Sequence, residues 1–149
     1  MQLAKSYLHE ILPGAECEKL PYYRKLKNIR RTLEEGVPGF PAQQCAIAAY
    51  LTKLITRLPY VIGYYSPEPS GIVKAVVPAM HAWNYDMERR LWVDISQDQY
   101  NWQTGLELPP IVILPDTTSV LKPEPTLVLK KSQDGESISF SLERIQPAI

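Results

Sequence analysis

Two neighbouring runs, MHAWNYD (80–86) and RLWVDIS (90–96), decide the fold of this chain. Both are rich in aromatic and branched residues, which is typical of β-strands. The charged segment MERR lies between them, so together they predict an antiparallel hairpin. Side chains alternate across a strand, so His81, Trp83 and Tyr85 are expected on one face of the sheet. The hairpin therefore predicts which side chains can meet at the centre of the fold.

Helices precede this hairpin, and strands lie on both sides of it. The clearest helical spacing runs from Ala42 to Leu58, a stretch without glycine or proline. Apolar spacing predicts two further helices, over 2–12 and about 22–35. Further strands are predicted over 60–65, 71–77, 111–114, 126–130 and 137–142.

The C-terminal third has two local signals of its own. Asp134-Gly135 predicts a tight turn between the last two strands. Residues 97–108 show no regular pattern and are expected to be irregular. Helices followed by an antiparallel-leaning sheet indicate an α+β fold, with N-terminal helices and the 42–58 helix packed on the sheet.

A length of 149 residues is typical of one domain with a substantial core. We expect a single domain over 1–149, with a catalytic core at about 38–100 and a strand-rich C-terminal part at about 109–145. The proline-rich segment around 115–125 is the only place where a boundary could be argued.

Charge and hydropathy exclude several classes of partner. Lysine plus arginine and aspartate plus glutamate each number 16, so the net charge is zero. A balanced charge argues against nucleic acid or an anionic membrane as a partner. The basic run at 24–31 is followed by Glu34 and Glu35, and we interpret it as the solvated face of a helix. No apolar run is long enough to predict a membrane span.

The chain shows no sign of export and no motif for a cofactor. Lys5, His9 and Glu10 interrupt any apolar core of a secretory signal. We therefore expect a cytoplasmic protein whose two cysteines, Cys17 and Cys45, are reduced. H-E-x-x-H, C-x-x-C, P-loop and dinucleotide-binding glycine patterns are absent from the sequence, so no metal and no cofactor is expected.

Cys45, His81 and Asp94 have the settings that a thiol nucleophile, its base and the group that orients the base require. A thiol attacks acyl carbons as a thiolate, which a helix N-terminus and a nearby imidazolium favour. Cys45 is expected about three residues inside the 42–58 helix, where free backbone N–H groups could also bind an oxyanion. Adjacent antiparallel strands would bring His81 and Asp94 within reach of each other.

Each of these residues also has an ordinary structural interpretation. Cys45 could be a small apolar residue of a packed helix, and His81 could be a core or surface histidine. Asp94 could cap backbone amides at a strand end. Cys17 lies between Glu16 and Glu18, whose charges would raise its pKa, so it is a poor nucleophile. The tryptophans could wall a cleft or belong to the core; they are Trp83, Trp92 and Trp102.

The stretch from Cys45 to Asp94 resembles the catalytic core of the papain-like and transglutaminase-like thiol hydrolase superfamily, which uses a Cys-His-Asp triad. In that superfamily a cysteine at a helix N-terminus precedes a strand with H-A-W and a strand ending in W-V-D. The corresponding residues here are Cys45, His81-Ala82-Trp83 and Trp92-Val93-Asp94. The tail VDISQDQY (93–100) also resembles the ending of small bacterial members.

This resemblance implies a papain/transglutaminase-like fold with Cys45 as nucleophile, His81 as base and Asp94 as the residue that orients the base. It implies a protein or peptide substrate cleaved or modified at an amide or acyl bond. The sequence shows no evident acidic calcium site, so calcium dependence is not implied. Peptidase, glutamine deamidase and acyl transfer all stay open. The candidates for oxyanion or substrate contacts are Gln43, Gln44 and Trp83.

Two rival hypotheses remain beside the enzyme. The same fold could serve as a catalytically inactive protein-binding module that keeps the three residues without their geometry. Alternatively, the chain could be a structural domain in which the three residues occur together by coincidence. The position of the Cys45 sulfur relative to the His81 ring distinguishes these hypotheses.

Overall fold

The computed structural model describes residues 7–67 and 78–145. Within these ranges, 3-10 helices cover Tyr7–Glu10 and Gln97–Tyr100. The α-helices are α1 (Gly14–Cys17), α2 (Tyr23–Gly36), α3 (Cys45–Thr56) and α4 (Asn101–Thr104). The strands are β1 (Tyr60–Tyr65), β2 (Ala79–Asp86), β3 (Leu91–Asp94), β4 (Val112–Pro115), β5 (Leu121–Pro123), β6 (Leu127–Asp134) and β7 (Ser137–Arg144).

Five strands form one antiparallel sheet in the order β4-β3-β2-β1-β5. The predicted hairpin is its centre, with Asn84 opposite Val93 and Asp86 opposite Leu91. β6 and β7 form a separate two-stranded sheet. Helices packed against an antiparallel sheet confirm the α+β prediction. The strand predicted over 71–77 lies outside the described residues.

The two long helices pack on the sheet through small and branched side chains. Leu26, Ile29 and Leu33 of α2 are buried at helical spacing, in a cluster with Val93 and Ile113 of the sheet. This agrees with the helix predicted over about 22–35. A helix with one apolar stripe gains most of its stability from such packing rather than from intrinsic propensity.

One buried amide joins α3 to β2. The Asn84 side chain donates to the carbonyl oxygen of Ala49 at 2.9 Å and to that of Leu58 at 3.0 Å. Buried polar groups are costly unless they find such partners. The bonds therefore hold α3 in a set position above the strand that carries His81.

The other face of the sheet packs against aromatic side chains. Tyr65, Trp83, Trp92 and Tyr100 are buried in one cluster. Trp83 and Trp92 are thus core residues, which was one of the two interpretations that their sequence allowed. Trp102 belongs to neither class, because it lies on α4 and is 80% exposed.

The structure corrects the predicted limits of the 42–58 helix. Gln43 has a φ of 57°, in the left-handed region, so the helix cannot extend back through it. Cys45 is consequently the first residue of α3 rather than lying about three residues inside. The helix ends before Arg57, which adopts a left-handed conformation with φ of 67°.

Two other predictions from local pattern were wrong in part. Residues 97–108 are not wholly irregular, because they contain a 3-10 helix and α4, which Gly105 ends with φ of 74°. Within the described part of the predicted 2–12 helix, helical structure stops at Glu10. The Leu12 amide instead donates to the Ile113 carbonyl at 2.8 Å, so this residue extends along β4.

The basic run at 24–31 is only partly a solvated helix face. Arg24, Lys27 and Arg31 are exposed, but Arg30 is buried. The Arg30 guanidinium forms two hydrogen bonds with the Asp98 carboxylate, at 2.6 and 2.8 Å. This pairing anchors α2 to the segment that follows β3.

The β6–β7 hairpin confirms the predicted Asp134-Gly135 turn. Gly135 has a φ of 61°, a conformation that glycine adopts without strain. The hairpin contacts α3 through Phe140, whose ring lies 4.9 Å from the ring of Tyr50. It also contributes Leu142, which packs beside the start of α3.

Candidate active site

His81 and Asp94 form a buried pair at the centre of the sheet. The His81 Nε2 atom lies 2.6 Å from Asp94 Oδ2, and the two residues are 0% and 1% exposed. β3 ends at Asp94, so its carboxylate reaches diagonally toward the neighbouring strand. The sequence-predicted contact between base and orienting group is present in the fold.

The environment of His81 favours its charged form. Burial acts to lower the His81 pKa, but the charge of Asp94 and the hydrogen bond to it act in the opposite direction. A hydrogen bond with the Cys45 side chain and its charge act in the same direction as Asp94. The net effect raises the His81 pKa to about 10, so the ring carries a proton at neutral pH.

Cys45 lies beside this ring at the start of α3. Its side chain packs with Ala49 and Ala82, the residue after His81, and is 8% exposed. Its side chain also forms a hydrogen bond with the His81 side chain. The fold therefore brings together the three residues that the sequence singled out.

Tyr100 also touches the histidine, and the sequence patterns did not single it out. Its hydroxyl lies 3.2 Å from His81 Nδ1, and the two rings meet edge to face with centroids 5.3 Å apart. Trp83 stacks on the same imidazole, with centroids 6.0 Å apart. These aromatic contacts restrict the orientation of the imidazole. Tyr100 is the last residue of the VDISQDQY tail, which was the only signal that could have found it.

The Asp94 carboxylate accepts several further hydrogen bonds. The Ser96 backbone amide donates to Oδ1 at 3.0 Å, and the Ser96 hydroxyl lies 3.4 Å from the same oxygen. The Gln97 side chain donates to Oδ2 at 2.9 Å. Donors of this kind stabilise a buried carboxylate in its charged form. Sequence reasoning missed both residues, although they too belong to the VDISQDQY tail.

The two glutamines before Cys45 form hydrogen bonds through their backbone atoms. The Gln43 amide N–H donates to the Gln99 side-chain oxygen at 3.0 Å. The Gln43 side chain is exposed and that of Gln44 is half-buried. The Gln99 side-chain nitrogen is buried and finds no acceptor among the described residues. An unpaired buried donor costs about 1–3 kcal/mol of stability, so this amide is a donor available to an acceptor on a bound molecule.

The C-terminal hairpin packs against the cluster that contains Cys45. Leu142 of β7 packs on the cluster that contains Cys45, together with Tyr60 and Ile62 of β1. Near the end of β7, the Arg144 guanidinium contacts the Tyr64 hydroxyl. A separate two-stranded sheet thus closes one side of the site.

Other potentially reactive groups lie apart from this cluster. Cys17 is buried, and its thiol donates to the Leu12 carbonyl at 3.3 Å. Burial raises the Cys17 pKa, so the predicted direction is right but the cause is desolvation rather than the neighbouring glutamates. The described ranges contain no group of three or more histidine, cysteine, aspartate or glutamate side chains that could hold a metal ion. They also contain no helix long and apolar enough to cross a membrane.

Comparison of the chain with protein-family models, curated proteins and solved structures found no match. The functional argument therefore depends on the chemistry of the residues at this site.

Proposed function

We propose that this chain is a cysteine-dependent hydrolase or acyltransferase of papain/transglutaminase-like architecture, acting on an amide or acyl bond. The observation that carries the proposal is the buried contact between His81 and Asp94, with Cys45 beside the ring. A base that touches the nucleophile and is itself oriented by a third group is the arrangement that activates such nucleophiles.

The reaction begins from the pair in which His81 already carries the proton and the Cys45 sulfur is a thiolate. The sulfur attacks the substrate carbonyl carbon, a C–S bond forms, and the carbonyl π electrons move to oxygen. Backbone N–H groups at the start of α3 and the Gln99 side-chain amide are the donors proposed for this oxyanion. Collapse of the intermediate breaks the C–N bond, and the leaving amine takes the proton from His81.

The product of these steps is a thioester on Cys45. Attack by water releases an acid, which gives peptidase or deamidase activity. Attack by a second amine transfers the acyl group, which gives transglutaminase-like activity. A peptide bond or a glutamine side chain in a protein or peptide is the proposed substrate, and a cytoplasmic location fits a mechanism that needs a reduced thiol.

Selective alkylation tests this proposal without knowledge of the substrate. Iodoacetamide at near-neutral pH, followed by peptide mass spectrometry, compares Cys45 with Cys17 in the same folded molecule. We expect Cys45 to react faster, and His81→Asn to reduce its rate by at least about tenfold because the base is lost. A Cys45 that reacts no faster than Cys17 in the wild type would contradict the proposed chemistry.

A second candidate function is a catalytically inactive protein-binding module on the same fold. The observation that favours it is the burial of Cys45, which is only 8% exposed and lies in a cluster against which Leu142 packs. If this alternative holds, Cys45 stays unreactive even when Leu142 is shortened. The enzyme proposal predicts the opposite result.

A further inference from the structure

A chain of buried side chains connects the Asp94 carboxylate to the N-terminal 3-10 helix. Gln97 donates from Nε2 to Asp94 Oδ2, and its Oε1 accepts a hydrogen bond from the Tyr7 hydroxyl at 2.5 Å. The Tyr7 hydroxyl in turn lies 2.7 Å from the Tyr65 hydroxyl. We infer that Gln97 and Tyr7 are positioning residues that hold Asp94 where it orients His81. This inference rests on the proposed function.

The hydrogen bonds of this network are all donated in the direction of Asp94. A carboxylate only accepts hydrogen bonds, so Gln97 must present its NH₂ group to Asp94 and its oxygen to Tyr7. The Tyr7 proton is then directed at Gln97, and the Tyr65 hydroxyl donates to the Tyr7 oxygen. Reversal of the Gln97 amide would place two acceptors against each other at Asp94. Asp94 therefore sets the amide orientation, and Tyr7 holds Gln97 in place by donating to its Oε1.

The position of Gln97 explains why its effect would reach the histidine. Gln97 and His81 both bond to the same oxygen, Oδ2 of Asp94, while Oδ1 is held by Ser96. Loss of the Gln97 donor removes one of the two contacts that fix Oδ2. The carboxylate can then rotate, and the imidazole that depends on it moves with it. Reacting groups misplaced by about 1 Å can lose about a hundredfold in rate.

These groups are buried, so water cannot replace a hydrogen-bond partner that is lost. Gln97 and Tyr65 are fully buried, and Tyr7 is nearly so. Burial is also the largest cause of the strongly raised pKa of Tyr7 and of the raised pKa of Tyr65, so both hydroxyls keep their protons. The network is therefore a fixed set of donors under neutral conditions.

Two variants and one matched control test the inference. Tyr7→Phe removes the hydroxyl that donates to Gln97 Oε1, and Gln97→Met removes the donor to Asp94 at similar size. Tyr22→Phe is the control, because the Tyr22 hydroxyl also donates to a buried carboxylate, Asp86 Oδ2 at 2.6 Å. It removes a comparable bond at a site that does not contact Asp94.

The first measurement is the proton NMR signal of the His81 Nε2–H group, assigned by its disappearance in His81→Asn. We expect Tyr22→Phe to leave this signal unchanged. Tyr7→Phe and Gln97→Met are expected to shift and broaden it. The second measurement is the alkylation rate of Cys45 as a function of pH, which should fall by roughly tenfold near neutral pH in both variants.

Unchanged NMR signals and unchanged alkylation profiles in Tyr7→Phe would show that the network is only structural and would overturn the inference. Tyr7→Phe removes a single oxygen, so it keeps the test available even where Gln97→Met does not fold. The NMR signal depends on the His81–Asp94 bond alone. An unreactive wild-type Cys45 together with a shifted signal would reject the proposed function and leave the positioning role intact.

Discussion

Replacement of Asp94 by asparagine is expected to remove a pH dependence of stability that the buried pair creates. The His81 pKa is raised from 6.5 to about 10 in the folded chain. The folded state therefore holds this proton more tightly than the unfolded chain. The resulting stabilisation is fully present below about pH 6.5 and is lost as the pH rises toward 10.

The expected size follows from the complete burial of the ring. Each unit of pKa difference corresponds to about 1.4 kcal/mol, and His81 is fully buried, so solvent screening does not reduce this contribution. From about pH 7 to about pH 9 the free energy of unfolding of the wild type should fall by roughly 2–3 kcal/mol. In Asp94→Asn this slope should vanish, because burial then favours the neutral ring at every pH in the range. The variant should also lose about 3 kcal/mol near pH 7, as expected for a broken buried pair.

Urea unfolding followed by tryptophan fluorescence, at several pH values between about 6.5 and 9, measures this slope. Asp86→Asn is the matched control, because Asp86 is also buried but accepts hydrogen bonds from Tyr22 and Arg89 instead. It should lower stability and keep the slope. Burial raises the Cys17 pKa above its ordinary value of 9.0, so any slope from this thiol near pH 9 is shared by the wild type and both variants. A flat wild-type curve, or an equal slope in Asp94→Asn, would refute the reasoning.

Two further predictions concern the cover of the site and the centre of the sheet. Leu142→Ala should accelerate alkylation of Cys45 several-fold and lower the free energy of unfolding by about 1–2 kcal/mol. Ile138→Ala is the control, because Ile138 is exposed on the same strand, and it should change neither quantity. Equal alkylation rates in the two variants would mean that Leu142 does not limit access to Cys45. Gly63→Ala should lower the free energy of unfolding in urea by about 3 kcal/mol, because a Cβ at this position would lie 1.9 Å from the Lys122 carbonyl oxygen of β5. A variant as stable as the wild type would mean that β1 and β5 separate easily.

The position of Cys45 shows how far local sequence patterns predict the structure. The sequence indicated a helix around Cys45 because apolar residues recur at helical spacing through Leu58. The start of that helix depends on the left-handed conformation of Gln43, whose amide is directed to the Gln99 side chain. That contact joins residues 56 positions apart, so no local pattern reports it.

The same difference between local and long-range contacts separates the predicted triad from the residues that bond to Asp94. His81 and Asp94 belong to one hairpin, so strand alternation and a short turn suffice to predict that they meet. Tyr7 and Gln97 are 90 positions apart and meet only because the N-terminal 3-10 helix packs on the aromatic face of the sheet. β5 was missed for a related reason: its three residues carry no alternation, and its pairing with β1 defines it as a strand.

The sequence by itself determined the two long helices, the central hairpin and the residue types of the site, because each follows from spacing between neighbours along the chain. Only the tertiary structure decided that Cys45 begins its helix, that Gln97 and Tyr100 contact the pair, and that Leu142 packs against the cluster around Cys45. The physical reason is that hydrogen bonds and packing between distant segments depend on how whole elements dock. Docking is set by the summed burial of apolar surface rather than by any single stretch of residues.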